Sequence, residues 1–128
     1  MIAVIFELKP APGRESRYLD LAAALRPELD ELDGFISIER FRSLSDPDKL
    51  LSLSFWRDEA AVAGWRNRIH HREAQAEGRG GVLSFYRLRV AAVLRDYGLE
   101  ERAEAPADSR ARHDAHPDQN RDGESSHD

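Results

Sequence analysis

The order in which two hydrophobic periodicities alternate along the chain constrains its fold more than any other feature. Four segments alternate side chains with the period of two that is typical of β-strands, namely residues 2–8, 35–41, 50–56 and 84–97. Two others, residues 15–32 and the segment from Asp58 to the glycines at 78–81, carry apolar side chains three and four positions apart, which predicts amphipathic helices. The resulting order, strand–helix–strand–strand–helix–strand, predicts an α+β protein with the ferredoxin-like βαββαβ arrangement and a four-stranded antiparallel sheet.

The first predicted helix contains a proline and is followed by a glycine. Its apolar stripe consists of Tyr18, Leu21, Leu25, Leu29 and Leu32. Pro27 lies inside this stripe, lacks a backbone donor and crowds the preceding turn, so we expect a kink or break near Leu25–Arg26. Gly34 is typical of the residue that ends a helical segment, and Asp58 is placed to cap the second helix.

The first predicted strand, IAVIFEL, is largely apolar on both faces. Ile2, Val4, Phe6 and Leu8 share one face, whereas Ala3, Ile5 and Glu7 share the other. The two helices of this fold cover only one face of the sheet, so the other face needs a partner. We expect that partner to be a second copy of the chain, in a two-fold homodimer packed sheet against sheet.

Composition excludes several classes of function. The 128 residues carry a net charge of −5, so no basic excess favours nucleic acid. With no cysteine, the chain has no disulfide framework, thiolate metal site or Cys nucleophile. No dinucleotide-binding GxGxxG, phosphate-binding loop or zinc-ligand spacing is present.

Nothing in the sequence indicates a membrane protein. The N-terminus has no basic region ahead of its short apolar run, which therefore predicts a strand and not a signal peptide. No apolar stretch approaches the ~20 residues of a membrane-spanning helix. We therefore expect a cytoplasmic protein that contacts no membrane.

The last part of the chain differs in composition from the rest. Residues 101–128 contain eight acidic residues and four arginines, and no aromatic residue, Leu, Ile or Val. Such a segment buries too little apolar surface to offset its ordering entropy. We therefore interpret residues 1–99 as the folded domain and residues 100–128 as a disordered acidic tail, with His113 and His116 of its HDAH stretch solvated and not ligating a metal.

The sequence resembles the antibiotic biosynthesis monooxygenase domain family over about residues 1–98. The resemblance lies in the order of elements and in DGFISIERF (33–41), LLSLSFWRDEAAVAGW (50–65), HREAQAEGR (71–79) and YRLRVAAVLRDYG (86–98). It implies a dimeric α/β barrel of ferredoxin-like protomers. Some members of the family oxidise polycyclic aromatic phenols or quinols with dioxygen and without metal or flavin, so we expect no cofactor. Relatives degrade heme, so the resemblance predicts the fold better than it predicts the chemistry.

The resemblance singles out Trp65 and His71 as candidate catalytic residues. Trp65 matches a pocket tryptophan able to stack on a planar substrate; alternatively it is a core residue, as its neighbours Val62 and Ile69 suggest. His71 matches the His of an HR-x-A-Q stretch and is a candidate base for a phenol proton; alternatively it lies on the surface. On a straight helix His71 lies about 120° around the axis from Trp65, so a shared pocket requires a bend within RNRI (66–69).

Four further residues are candidates for substrate binding: Glu7, Gln75, Tyr86 and Arg40. Glu7 is the one charge in its strand, and it is either a base with a raised pKa or an ion-pair partner of Arg40, Arg87 or Arg89. Tyr86 either lines a polar wall with Ser52 and Ser54 or is an edge residue. In heme-degrading relatives, the position of Gln75 holds the axial His and the position of Glu7 holds an Asn. This chain differs from them at both positions, which disfavours heme degradation.

Three functions follow from these residues. The first is a cofactor-independent monooxygenase that acts on a small or polycyclic aromatic phenol or quinol. The second is a non-catalytic dimeric barrel that binds a small hydrophobic metabolite, for example in a stress response. The third, and the least favoured, is heme binding or degradation.

Overall fold

The computed structural model describes residues 1–75 and 81–115, with the side chains of residues 70–75 and 113–115 left out. The elements are β1 (Ile2–Pro10), α1 (Glu15–Asp30), β2 (Phe35–Arg42), β3 (Leu50–Trp56), α2 (Glu59–Gln75), β4 (Leu83–Ala92) and α3 (Ala107–Ala115). The first six follow the predicted order, which confirms the ferredoxin-like α+β architecture. In the described part of the chain, no helix has both the length and the apolar character needed to cross a membrane.

All four strands form one antiparallel sheet in the order β2-β3-β1-β4. Ile2 of β1 lies between Trp56 of β3 and Ala92 of β4, and Phe6 lies between Ser52 and Leu88. Directly paired residues project from the same face. The register therefore assigns every strand residue to one of two faces.

One face of the sheet, which we call the helix face, is covered by α1 and α2. On β3 it presents Leu50, Ser52, Ser54 and Trp56, all of which are buried. Leu29 of α1 and Ala61 of α2 form a buried cluster with Trp56. This cluster is the centre of the core.

The opposite face, which we call the open face, carries no helix. On β3 it presents Leu51, Leu53 and Phe55, which are only half-buried. Phe41 and Phe85, on the two edge strands, project from the same face and are 41% and 40% exposed. An apolar surface of this extent is typical of a contact site.

The stripe predicted for α1 is the side that packs on the sheet. Its five members, Tyr18, Leu21, Leu25, Leu29 and Leu32, are all buried or half-buried. Of the kink or break predicted near Leu25–Arg26, the break is absent, since α1 continues through Pro27 to Asp30, and the kink stays a prediction. The apolar stripe extends on both sides of Pro27, and its packing outweighs the loss of one backbone hydrogen bond.

The start of α2 is fixed by Asp58 and by the turn after α1. The Ala61 backbone N–H donates to Oδ1 of Asp58 at 2.9 Å, which confirms the predicted cap. Gly34 has a φ of +91°, and a Cβ there would lie 2.6 Å from Cβ of Ala61. The turn therefore requires glycine both for its backbone conformation and for the close approach of α2.

The last strand is shorter than predicted. Its alternating pattern extends over residues 84–97, but β4 ends at Ala92. Ala92 pairs with Ile2, the first residue of β1. Residues beyond Ala92 therefore have no β1 residue to pair with, whatever their own periodicity.

The chain divides into two compact units, residues 1–92 and 93–128. In the second unit, Arg102 donates to the carbonyl oxygens of Gly98 and Ser109 at 3.1 Å each, and its guanidinium lies over the ring of Tyr97. The sequence analysis predicted a disordered tail for residues 100–128 and did not predict α3, which lies within that range. Residues 116–128 lie outside the described residues, and the domain limit at residue 99 stays a prediction.

Candidate functional site

Trp65 lies at the edge of the core on the helix face. It is half-buried and packs against the cluster of Leu29, Trp56 and Ala61. Val4 of β1 packs against the same cluster. Trp65 therefore occupies the core position that its neighbours predicted, and it remains partly open to solvent.

A second tryptophan, which the sequence analysis did not single out, is the most enclosed aromatic residue of this face. Trp56 is 1% exposed, and its Nε1–H donates to Oγ of Ser54 at 2.9 Å. Its ring meets the ring of Phe35 edge-on at 5.2 Å. The alternation of β3 already placed Trp56 and Ser54 on one face, which is the sequence signal for this pair.

On β4 the helix face is apolar and open. Tyr86, Leu88 and Val90 are 64%, 51% and 43% exposed, and we call them the β4 strip. The ring of Tyr86 lies 5.7 Å from that of Phe6 on β1. The β4 strip thus continues the core of the helix face as an accessible apolar surface on which a planar or aliphatic molecule can lie.

Arg40 projects from the helix face of β2, next to α1. Its Nε–H donates to the Tyr18 hydroxyl at 3.4 Å, and its guanidinium lies 6.0 Å from the Tyr18 ring centroid. Arg40 pairs directly with Ser52, which pairs with Phe6, which pairs with Leu88. These four side chains form one row across the helix face, which we call the Arg40 row.

Glu7 lies on the open face, away from Arg40 and Tyr86. Its carboxylate forms ion pairs with Nζ of Lys49 and with Nη1 of Arg89, both at 2.9 Å. This confirms one of the predicted partners, Arg89, and adds Lys49. Lys49 precedes β3 by one residue and was missed because it lies in the loop and not in a strand.

The alternative prediction, that Glu7 is a base with a raised pKa, is wrong. The hydrogen bond from Lys49, assisted by the charges of Lys49 and Arg89, lowers the pKa of Glu7 despite partial burial. Glu7 is therefore ionised at neutral pH and already held by two cations. It lines a shallow depression of the open face together with Ile5, Phe41 and Leu51.

The side chains of His71 and Gln75 lie outside the described residues. Their backbones belong to α2, which is helical without interruption through residues 66–69. Of the described candidates, Trp65, Tyr86 and Arg40 lie on the helix face, with Arg40 and Tyr86 on the two opposite edge strands, and Glu7 lies on the other face. Among the side chains that the structure describes, no group of three or more His, Asp or Glu residues is arranged to hold a metal ion.

Comparisons with known proteins agree with this architecture. The chain is 53% identical over 93 residues to the jasmonate monooxygenase ABM of Pyricularia oryzae. The aligned part is 73% of this chain and 43% of the relative, so the chain spans less than half the length of this curated protein.

Solved structures show the same fold at low sequence identity. Rv0793 of Mycobacterium tuberculosis superimposes with a TM-score of 0.64 at 23% identity, covering 76% of this chain and 98% of that one. The heme-degrader MhuD of the same organism, solved with two hemes in its active site, has a TM-score of 0.61 at 15% identity, covering 77% of this chain and 100% of that one.

A family model covers more than half of the sequence. The model for antibiotic biosynthesis monooxygenase matches residues 1–77, from β1 through α2. The resemblance seen in the sequence is thereby confirmed, and the chain belongs to the antibiotic biosynthesis monooxygenase family.

Proposed function

We propose that the chain is a monooxygenase that transfers one oxygen atom from dioxygen to a small, largely apolar phenol or quinol. The observation that carries the proposal is the 53% identity to a jasmonate monooxygenase over 93 residues. The name of that relative also makes jasmonate, an apolar ring acid, a substrate to test beside phenols and quinols.

With a phenol or quinol, the proposed reaction requires no external reductant. A substrate without a phenol group, such as jasmonate, requires two electrons from an added reductant to convert the second oxygen atom to water. Removal of the phenol proton leaves an electron-rich phenolate that passes an electron to dioxygen; one oxygen atom ends in the quinone and the other in water. We assign the proton transfer to His71, since imidazole titrates near neutral pH. On this proposal the reaction needs no metal or organic cofactor.

The helix face is the proposed binding surface. Trp65 and the β4 strip supply the apolar contacts, and Arg40 supplies a polar one. Gln75 stays a candidate for substrate binding on the sequence resemblance alone. Glu7 is left out of this site, because it lies on the open face and is ion-paired with Lys49 and Arg89.

The open face has a separate role in the proposal. A second copy of the chain covers Leu51, Leu53 and Phe55 through a two-fold contact, which forms a homodimer. Substrate and second copy thus bind opposite faces of one sheet.

Oxygen uptake by chelator-treated full-length protein tests the activity. The panel holds hydroquinones and naphthols, and jasmonate together with an added two-electron reductant, and we expect uptake with at least one of them. His71→Ala is expected to lose turnover while it keeps ligand binding, and Trp65→Phe to weaken both modestly. Absence of uptake across the panel, with ligand binding retained, would instead support the non-catalytic binding barrel.

Heme degradation is the less favoured alternative. MhuD shares the fold at 15% identity, and this chain carries Gln75 where the resemblance predicts an axial His. A heme titration monitored at the Soret band distinguishes the two functions, and we expect no shift.

A further inference from the structure

We infer that the Arg40 row is a recognition site for the carboxylate of an apolar substrate, with Arg40 as the anion-binding group. The inference rests on the proposed function, and it assigns a substrate class to the same face of the sheet. In this site the carboxylate lies at Arg40 and Ser52, and the apolar body extends over Phe6 and Leu88.

Most N–H donors of the Arg40 side chain have no acceptor among the described residues. A guanidinium carries five N–H donors, and in the described part of the chain only Nε–H of Arg40 has an acceptor, the Tyr18 hydroxyl. Arg42, on the same strand and face, is instead held by both carboxylate oxygens of Glu15, at 2.6 and 3.2 Å. Arg40 is half-buried and has no carboxylate partner among the described residues, and a buried cation is stabilised by acquiring one.

Ser52 is the second polar group of the row. It is 7% exposed and lies directly opposite Arg40 in the β2–β3 register. Its hydroxyl makes no hydrogen bond to any other described residue, in contrast to the hydroxyl of Ser54, which accepts from Trp56. Arg40 and Ser52 together therefore present unused donors at one end of the row.

The other end of the row is apolar. Phe6 is half-buried against Tyr86, and Leu88 is 51% exposed. The row crosses four strands, so its ends are about 14 Å apart at the usual strand spacing. One acid group on a compact apolar body matches this distribution of charge. A phosphate ester fits it less well, because Arg42 is already neutralised by Glu15.

Paired ligands that differ only in charge test the inference. The probes are jasmonate and methyl jasmonate, and 1-naphthylacetate and its methyl ester, with affinities measured by equilibrium binding to the full chain under anaerobic conditions. We expect the wild type to bind at least one acid about tenfold or more tighter than its ester. Arg40→Gln should weaken acid binding by about 10- to 100-fold and change ester binding little, which abolishes the preference.

Two further variants separate recognition from a structural effect. Arg40→Lys keeps the charge but not the planar fork, so it should retain part of the preference. Arg42→Gln removes an arginine of the same strand and face that Glu15 already neutralises, and it should leave the ratio of acid to ester affinity unchanged. Comparing two ligands on one variant cancels any general loss of folded protein.

Three results would overturn the inference. The wild type could bind acid and ester equally, Arg40→Gln could lose affinity for acid and ester to the same extent, or the wild type could bind none of the four probes. Oxygen uptake is read separately. Arg40-dependent acid binding, together with no oxygen uptake across the panel of the proposed function, leaves the inference standing and contradicts the monooxygenase proposal. Oxygen uptake on that panel, together with equal binding of acid and ester, does the reverse.

Discussion

The two faces of the sheet are built from the same strands and have similar apolar content, yet only one is covered. On β3, Trp56 of the helix face is 1% exposed, whereas its neighbours on the open face, Phe55 and Leu53, are half-buried. The difference arises from topology. The connections β1–α1–β2 and β3–α2–β4 each link parallel strands that flank a third, and right-handed crossovers place both helices on the same side.

The comparison separates two roles. The helix face combines a closed core around Trp56 with an accessible end formed by the β4 strip and Arg40, which suits binding of a small molecule. The open face combines a broad apolar surface with ion pairs around Glu7, which suits contact with another copy. The predictions below test this division, from the largest expected effect to the smallest.

The largest effect is expected at the core of the helix face. Trp56→Ala should lower the free energy of unfolding by about 3–5 kcal/mol, because it leaves a large cavity beside Leu29 and Ala61. Urea denaturation of the variant measures the loss. The matched control is Phe55→Ala, one residue along the strand on the open face, whose smaller cost should depend on protein concentration if a second copy covers it. Equal, concentration-independent losses would contradict the difference between the faces.

A charge on the open face should prevent the second copy from binding. Leu53→Asp should weaken dimerisation by about 100-fold or more, because an unpaired carboxylate would be buried in the contact. Sedimentation velocity over a dilution series measures the dissociation constant. Leu19→Asp, at a leucine of α1 that is 40% exposed, is the control expected to leave dimers intact. A wild type that is monomeric at high concentration would contradict the role assigned to the open face.

The smallest effect is expected at the ion pairs of Glu7. Lys49 and Arg89 lower the pKa of Glu7 below its ordinary value of 4.5. The ion pairs therefore stabilise the fold at pH values above 4.5, and this contribution is lost as the pH falls through the lowered pKa. Glu7→Gln should therefore lower the urea midpoint at neutral pH, and the difference from wild type should shrink as the pH falls below 4.5.

Glu39→Gln is the control for this titration. Glu39 is an exposed residue of the open face with no ion pair to another described residue, so it should leave the midpoint nearly unchanged across the same range. A Glu7→Gln difference that persists undiminished in acid would show that the ion pairs are not its cause.

The hydrophobic periodicity and the turn and cap residues were sufficient to predict the order of the elements, and the alternation within a strand assigned its residues to two faces. The alternation of LLSLSFW separated Trp56 from Phe55, and Asp58 marked the start of α2. The length of β4 was not predictable in this way, since it depends on where β1 begins. Pro27 did not break α1, because stripe packing on both sides keeps the helix continuous.

The candidate site was less predictable than the fold. Family resemblance selected Trp65, but its contact with the core cluster depends on how α2 packs on the sheet. The separation of Glu7 from Arg40 follows from strand parity only once the register is known. Lys49 was missed because a loop residue has no periodicity, although its place just before β3 brings it beside Glu7.

The most direct test of the account compares two positions of β4, three residues apart, that lie on opposite faces of the sheet. Leu88→Arg and Phe85→Arg alter residues that are 51% and 40% exposed, and the measurement is incorporation of oxygen-18 from labelled dioxygen into product, quantified by mass spectrometry. We predict one labelled atom per product molecule in the wild type, a roughly tenfold or larger loss of kcat/KM in Leu88→Arg, and little loss in Phe85→Arg at concentrations where it is dimeric. Unlabelled product from the wild type, or a greater loss in Phe85→Arg than in Leu88→Arg, would contradict the assignment of catalysis to the helix face.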